Sequence, residues 1–163
     1  MRGLWLVLVL ASLFVPAARA DEKLGDFSAW QAHRYDLEGT AVCNMWARPA
    51  KEEGKYTRRG EVYAFVLNRP ADQRAGEISF EMGYPLKKNS RVRVAIGTSK
   101  FEMFTDGGTA FAWPDEEPKM IRAMRAGASM VVKGISSRGT ETTDTYSLKG
   151  FTAAHNAINR GCK

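Results

Sequence analysis

Apolar positions along this chain follow two regimes. Leu4 to Val15 (LWLVLVLASLFV) is almost wholly apolar, and Pro16 ends it. Further on, apolar and polar residues alternate. Ile78, Phe80 and Met82 alternate with Glu77, Ser79 and Glu81, and Val92, Val94 and Ile96 with Arg91, Arg93 and Ala95. A period of two puts apolar groups on one face of a strand and charge on the other. Gly83 to Ser90 (GYPLKKNS) supplies turn residues between these two strands. Val62 to Leu67 (VYAFVL) is continuously apolar between Gly60 and Pro70, which predicts a central strand buried on both faces. Further strands are predicted over Phe27 to His33, Ala41 to Ala47, Lys100 to Thr105, Thr109 to Trp113, Ser129 to Ile135 and Glu141 to Leu148. Asp106-Gly107-Gly108 fits a tight hairpin turn, since glycine accepts positive φ, and Ser136 to Gly139 (SSRG) fits another. The charged stretch Arg48 to Arg59 (RPAKEEGKYTRR) reads as a surface loop.

Two late segments switch to a helical period, predicting short α-helices over about 115–126 and 151–161. In the first, Met120, Ile121 and Met124 share a face, with Lys119, Arg122 and Arg125 mostly opposite. Asp115 or Glu116 can cap its start, Pro118 is tolerated in the first turn, and Gly127 ends it. In the second, Phe151, Ala154, Ile158 and Cys162 share a face. Many short strands with two helices placed late predict a mainly β fold, a sandwich with helical additions.

The leading apolar run changes the biology expected of the rest. Arg2 precedes it, and Ala18-Arg19-Ala20 sets small residues where a signal peptidase inspects the chain. Residues 1–20 are therefore expected to be a cleaved signal peptide, cut between Ala20 and Asp21, with residues 21–163 forming one domain. Such a run falls short of the ~20 residues that span a bilayer, so no transmembrane anchor is expected after cleavage. The expected destination is the periplasm, with the cell surface or the medium beyond it.

Charge narrows the partners. The formal net charge is +6, and Arg2 and Arg19 supply two of it. The mature domain is mildly basic, which suits weak contact with anionic surfaces and does not imply nucleic acid. Two cysteines are present, Cys43 and Cys162. In an oxidising compartment an even count makes one disulfide the default, with two buried free thiols as the alternative. No C-x-x-C spacing marks a redox pair.

Catalytic signatures are sparse. The chain has no phosphate-cradling G-x-x-x-x-G-K-[ST] and no G-x-G-x-x-G after a strand. Gly134 to Arg138 (GISSR) lacks the second glycine of a nucleophile elbow and precedes a strand, so it reads as a hairpin. His33 and His155 are the sole histidines and fit no metal-ligand spacing, so no metal or cofactor is expected. His155 lies beside the Phe151/Ile158 face, at the edge of a core. Glu77, Glu81 and Glu102 fall on outward sides of strands, and Glu116-Glu117 open a helix where carboxylates favour the dipole. The hydroxyl-rich run Ser136 to Ser147 (SSRGTETTDTYS) reads as an exposed strand whose hydroxyls face water. Trp30, Trp46 and Trp113 read as core anchors.

Several of these segments together resemble one family. They are Tyr56 to Val66 (YTRRGEVYAFV) with Asn68-Arg69-Pro70, then Gly83 to Leu86 (GYPL), Phe101 to Thr105 (FEMFT) and Ala112-Trp113. Met130 to Gly134 (MVVKG), Ser137 to Thr140 (SRGT), Thr142 to Thr152 (TTDTYSLKGFT) and a closing Cys162 follow. This order is similar to the invasion-associated locus B family of alphaproteobacterial envelope proteins, over about residues 26 to 162. The resemblance implies an exported protein with an immunoglobulin-like antiparallel β-sandwich, linked in pathogenic relatives to entry into host cells. It brings no catalytic residues. Many members carry a further cysteine shortly after the tryptophan matching Trp30, where this chain has Ala32, His33 and Arg34. Cys43–Cys162 is then the one intramolecular bridge available, in a two-cysteine subgroup.

The expected function is a non-enzymatic binding or accessory protein with an unidentified envelope or host-surface partner. One rival is a periplasmic hydrolase using His33 or His155 beside two carboxylates in a cleft. Another is attachment to anionic lipid headgroups or polysaccharide through Lys87, Lys88, Arg91, Arg93, Arg58 and Arg59.

Overall fold

In the computed structural model, which describes residues 21–163, the two-residue alternation becomes eleven antiparallel strands. The predicted signal segment, with Ala20, lies outside the described residues. The strands are β1 (Glu22–Phe27), β2 (Trp30–Leu37), β3 (Thr40–Ala47), β4 (Lys51–Gly54), β5 (Tyr63–Arg69), β6 (Arg74–Glu81), β7 (Val92–Ile96), β8 (Ser99–Asp106), β9 (Thr109–Phe111), β10 (Ser129–Ile135) and β11 (Glu141–Ser147). Two helices, α1 (Glu117–Ala126) and α2 (Phe151–Gly161), match the predicted pair.

Hydrogen bonding runs in the order β1-β2-β3-β5-β6-β9-β8-β7-β10-β11-β4. β8 is where this order folds over. Its first half, Ser99 to Met103, pairs with β7, and its last residues, Phe104 to Asp106, pair with β9. One layer therefore holds β1, β2, β3, β5, β6 and β9, and the other β7, β10, β11 and β4. Their inner faces meet in a core that includes Met45, Val66, Ile78, Phe80, Val94, Met130 and Val132, all 0–1% exposed. Phe80 from the first layer meets Tyr146 from the second with ring centroids 5.8 Å apart. Each fully buried side chain of this size contributes roughly 1.5–3 kcal/mol against leaving it in water.

Helix α2 lies against β1, β2, β3 and β5, where Phe151 meets Trp30 edge to face at 5.0 Å. Gly150 precedes it at φ +89°, and a Cβ there would come 1.8 Å from the Phe27 carbonyl oxygen. Only glycine lets the chain turn this close to β1. At the far end of α2, Cys162 is bonded to Cys43 on β3, with Cα atoms 5.8 Å apart and a sequence separation of 119. Helix α1 buries Met120 and Met124 and packs on β6.

Four expectations need correction. Phe27 to His33 is not one strand: Ser28 takes φ +58° and a two-residue turn joins Phe27 to Trp30. The register explains it, since the buried positions are Trp30 and Ala32, out of phase with Phe27 as a continuing strand. Val62 to Leu67 is not buried on both faces. Ala64, Val66 and Asn68 point inward, whereas Tyr63, Phe65 and Leu67 take the other face, where Tyr63 packs on Trp46 and Phe65. Arg48 to Arg59 is not all loop. Lys51 to Gly54 forms β4, fully exposed and paired to β11, an edge strand whose charges blunt further pairing and leave no apolar signal to read. Helix α1 starts at Glu117, two residues later than expected, with Glu116 at the N-cap position but its carboxylate bound by Lys119 Nζ at 2.6 Å and making no capping hydrogen bond.

The 119-residue separation of the two cysteines makes the bridge the strongest single restraint on the unfolded chain. Replacing both cysteines by alanine should lower unfolding free energy by about 2–4 kcal/mol in urea titrations. Unchanged midpoints for the double variant and the wild-type protein would contradict this.

Candidate functional site

Alternation along β11 dictates which of its polar residues go inside. Tyr146 is fully buried, so Asp144 and Thr142, two and four positions earlier, point the same way. Asp144 is 0% exposed. A carboxylate at that depth is tolerated only with a partner, because unpaired burial costs several kcal/mol. Arg59 provides it. Its guanidinium donates from Nη1 and Nη2 to the two oxygens of Asp144 at 2.6 and 2.7 Å. Its Nε donates to the Met82 carbonyl at 2.9 Å, and Nη1 also reaches Glu52 at 3.4 Å. The rings of Tyr56 and Tyr84 flank it at 5.5 and 5.1 Å, a geometry that favours a cation. Burial pulls the Arg59 pKa down, but hydrogen bonds and charge from Asp144 outweigh it, so the group sits above its ordinary value. Burial likewise raises the phenols of Tyr84 and, with the Asp144 charge added, Tyr146, so both stay neutral.

Arg59 thereby ties the segment after β4 to the turn after β6. Beside it Gly60 N–H donates to the Gly83 carbonyl at 2.8 Å, and Gly83 takes φ +70°. A Cβ on Gly83 would lie 2.5 Å from the Gly60 oxygen, so this contact requires glycine.

Above this floor opens a groove of about 700 Å³. Lys55, Arg58, Arg59 and Arg138 line it, and no carboxylate does. The hydroxyl residues Thr57, Ser136, Ser137, Thr140 and Thr142 line it as well, with Tyr56 and Tyr84. Asp144 neutralises Arg59, but Lys55, Arg58 and Arg138 are exposed and have no ion pair among the described residues. Two of the hydroxyls are already engaged: Thr142 with Tyr84, and Ser136 Oγ with the Thr140 N–H at 3.1 Å. A cationic rim over a neutralised, hydrogen-bonded floor attracts anions and can donate hydrogen bonds to them.

The residues singled out from sequence are scattered by the fold. Arg59, expected on an anionic contact surface, is the buried partner of Asp144, with its side chain 3% exposed. Arg58 stays at the groove, Lys87 and Lys88 lie exposed before β7, and Arg91 and Arg93 lie at and on β7. Ser136 to Ser147 is not an exposed hydroxyl strand, because Thr142, Asp144 and Tyr146 face inward. Trp30 is a core anchor, but Trp113 is 42% exposed with Arg91 5.5 Å over its ring, and Trp46 is half-buried. His33 Nδ1 meets Asp21 at 3.1 Å on the β1–β2 side. His155 is buried on α2, stacked on Phe151, with Nδ1 3.3 Å from both Arg125 and Asn159. Neither histidine lines the groove. Among the described residues no group of three His, Cys, Asp or Glu is placed to hold a metal ion. Lys55, Tyr56, Tyr84, Arg138 and Asp144 escaped the sequence reading. The inward register set by Tyr146 and Leu148 is the signal that locates Asp144.

The chain matches the family model of invasion associated locus B (IalB) protein over residues 30–159. Among solved structures it is similar to the invasion associated protein B from Bartonella henselae, at 20% identity and a TM-score of 0.56, over 84% of this chain and 92% of that one. At that identity the likeness concerns the fold, an immunoglobulin-like β-sandwich. No curated protein matches the chain.

Two outcomes follow from the buried charges. Asp144→Ala should cost about 3–5 kcal/mol in chemical denaturation, because it strands the Arg59 guanidinium. The double change Arg59→Met/Asp144→Leu should be less destabilised than that single variant, and strictly additive losses would contradict the pairing. Burial, with the Arg125 charge added, lowers the His155 pKa. Around the ordinary imidazole range the unfolded chain therefore takes up this proton more readily than the fold does, and stability falls as pH falls from about 7.5 to 5.5. His155→Gln should flatten that slope in urea titrations across this range, and an unaltered slope would contradict it.

Proposed function

Because the chain belongs to the invasion associated locus B (IalB) family, we propose that it is an exported, non-catalytic envelope protein that holds an anionic partner in the groove over Arg59 and Asp144. The observation that carries this reading is the charge of the lining: four cations, no carboxylate, and three of the cations without an ion pair. An anion entering the groove gains Coulomb attraction without displacing an internal carboxylate from the rim. The hydroxyls around the floor offer directional hydrogen bonds.

A binding role also fits what surrounds those hydroxyls. An activated nucleophile needs a base at about 2.6–3.2 Å, and the groove lining includes no histidine and no carboxylate. The Cys43–Cys162 bridge fits an oxidising compartment, and with cleavage between Ala20 and Asp21 it favours the periplasm or the cell surface. Among the described residues no helix is long and apolar enough to cross a membrane. The Bartonella henselae neighbour carries the description "invasion associated", and a role at the host-facing surface is the corresponding reading for this chain.

Pyrophosphate is a small probe of the groove. Residues 21–163, purified with the disulfide intact, should bind it with an affinity that falls as ionic strength rises. Lys55→Ser/Arg58→Ser/Arg138→Ser should weaken that binding by at least about tenfold in calorimetry, with the circular dichroism spectrum unchanged. Equal binding by the triple variant, or binding insensitive to salt, would overturn the proposal.

A further inference from the structure

Two further hollows lie near the groove, and each shares lining residues with the next. Thr142 lines the groove and also a second hollow formed with Arg91, Arg93 and Lys133. Arg93 and Lys133 line a third hollow as well, which adds Lys100 on the outer face of the second layer. Strand register fixes the arrangement. Arg93 on β7 stands directly opposite Lys133 on β10, and Lys133 directly opposite Thr143 on β11. Like charges placed directly opposite across a sheet destabilise it, and Lys133 has no carboxylate directly opposite it on either neighbouring strand. Arg93, Lys100 and Lys133 form no ion pair with the described residues, although Glu102 pairs in register with Arg93. Seven cations border the three hollows besides Arg59, against the carboxylates of Glu102 and Glu141.

Resting on the groove reading above, we propose that the three hollows form one track for a linear acidic polysaccharide, a glycan carrying carboxylate, sulfate or phosphate groups along its length. The path turns from the outer face of the second layer into a recess at its end. A flexible chain follows such a turn, whereas a flat bilayer meets the face and leaves the cations of the recess unused. On β11 the outward Thr143 stands directly opposite Lys133 and lines the second hollow, and its hydroxyl suits those of a sugar chain.

Heparin-derived oligosaccharides serve as sulfated probes, a tetrasaccharide against a hexadecasaccharide, with pyrophosphate reporting the groove alone. If the track is continuous, the longer glycan should bind at least about tenfold more tightly than the shorter, because its second contact is intramolecular. Arg93→Ser/Lys133→Ser should abolish that gain and leave pyrophosphate binding unchanged. Equal affinity for both lengths, or a gain that survives Arg93→Ser/Lys133→Ser, would overturn the track while pyrophosphate binding upheld the groove. Preference for phosphatidylglycerol vesicles over the longer glycan at equal charge would overturn it in favour of a membrane surface. Failure of pyrophosphate to bind would strike the groove reading, and the chain-length comparison would still decide the track.

Discussion

A carboxylate with no exposure at all, set among the inner side chains of a sandwich, has to be answered from within the molecule. Asp144 is placed there by the alternation of β11, two positions from a fully buried tyrosine. Arg59 answers it with two parallel hydrogen bonds, the geometry in which a guanidinium matches a carboxylate best. Arg59 also donates to the Met82 carbonyl, so one side chain joins β11, the segment after β4 and the turn after β6. The close Gly60–Gly83 contact lies beside that junction and depends on the same approach. Loss of the pair should loosen the floor of the groove.

The remaining architecture divides the work. Apolar burial between the layers supplies the bulk of the stability, and the bend in β8 lets one continuous hydrogen-bonded order fold into two layers. The Cys43–Cys162 bridge and the Trp30–Phe151 contact hold α2 on the first layer. These devices lie on the β1–β3 side. The groove is built on the opposite flank, where β11 and the edge strand β4 meet the turn at Gly83 to Pro85. The rim cations Lys55, Arg58 and Arg138 form no ion pair among the described residues, and Asp144 is committed to Arg59.

Legibility of the fold in the sequence followed the strength of the apolar signal. Strands β6, β7 and β10 and helix α2 were readable because each buries a regular apolar set, such as Ile78 and Phe80 or Phe151, Ala154 and Ile158. Strand β4 was not readable, since Lys51 to Gly54 is exposed on both faces and is defined only by pairing with β11. The groove was hidden for a related reason. Its central pair joins residues 85 positions apart, and an arginine in a charged stretch looks the same whether it meets water or a buried acid. Threonines and an aspartate in β11 resemble a wet strand, whereas the register of Tyr146 turns Thr142 and Asp144 inward. The invasion-associated locus B resemblance, by contrast, was carried by long stretches of sequence and agrees with the family match over residues 30–159.

The claim that Arg59 and Asp144 shape the groove is tested most directly by amide hydrogen exchange at Gly60. Its N–H donates to the Gly83 carbonyl beside the pair. In Asp144→Asn, protection at Gly60 should fall sharply while amides of β2 and β3 keep theirs, a local opening and not a global one. Equal protection at Gly60 in both proteins would contradict the account.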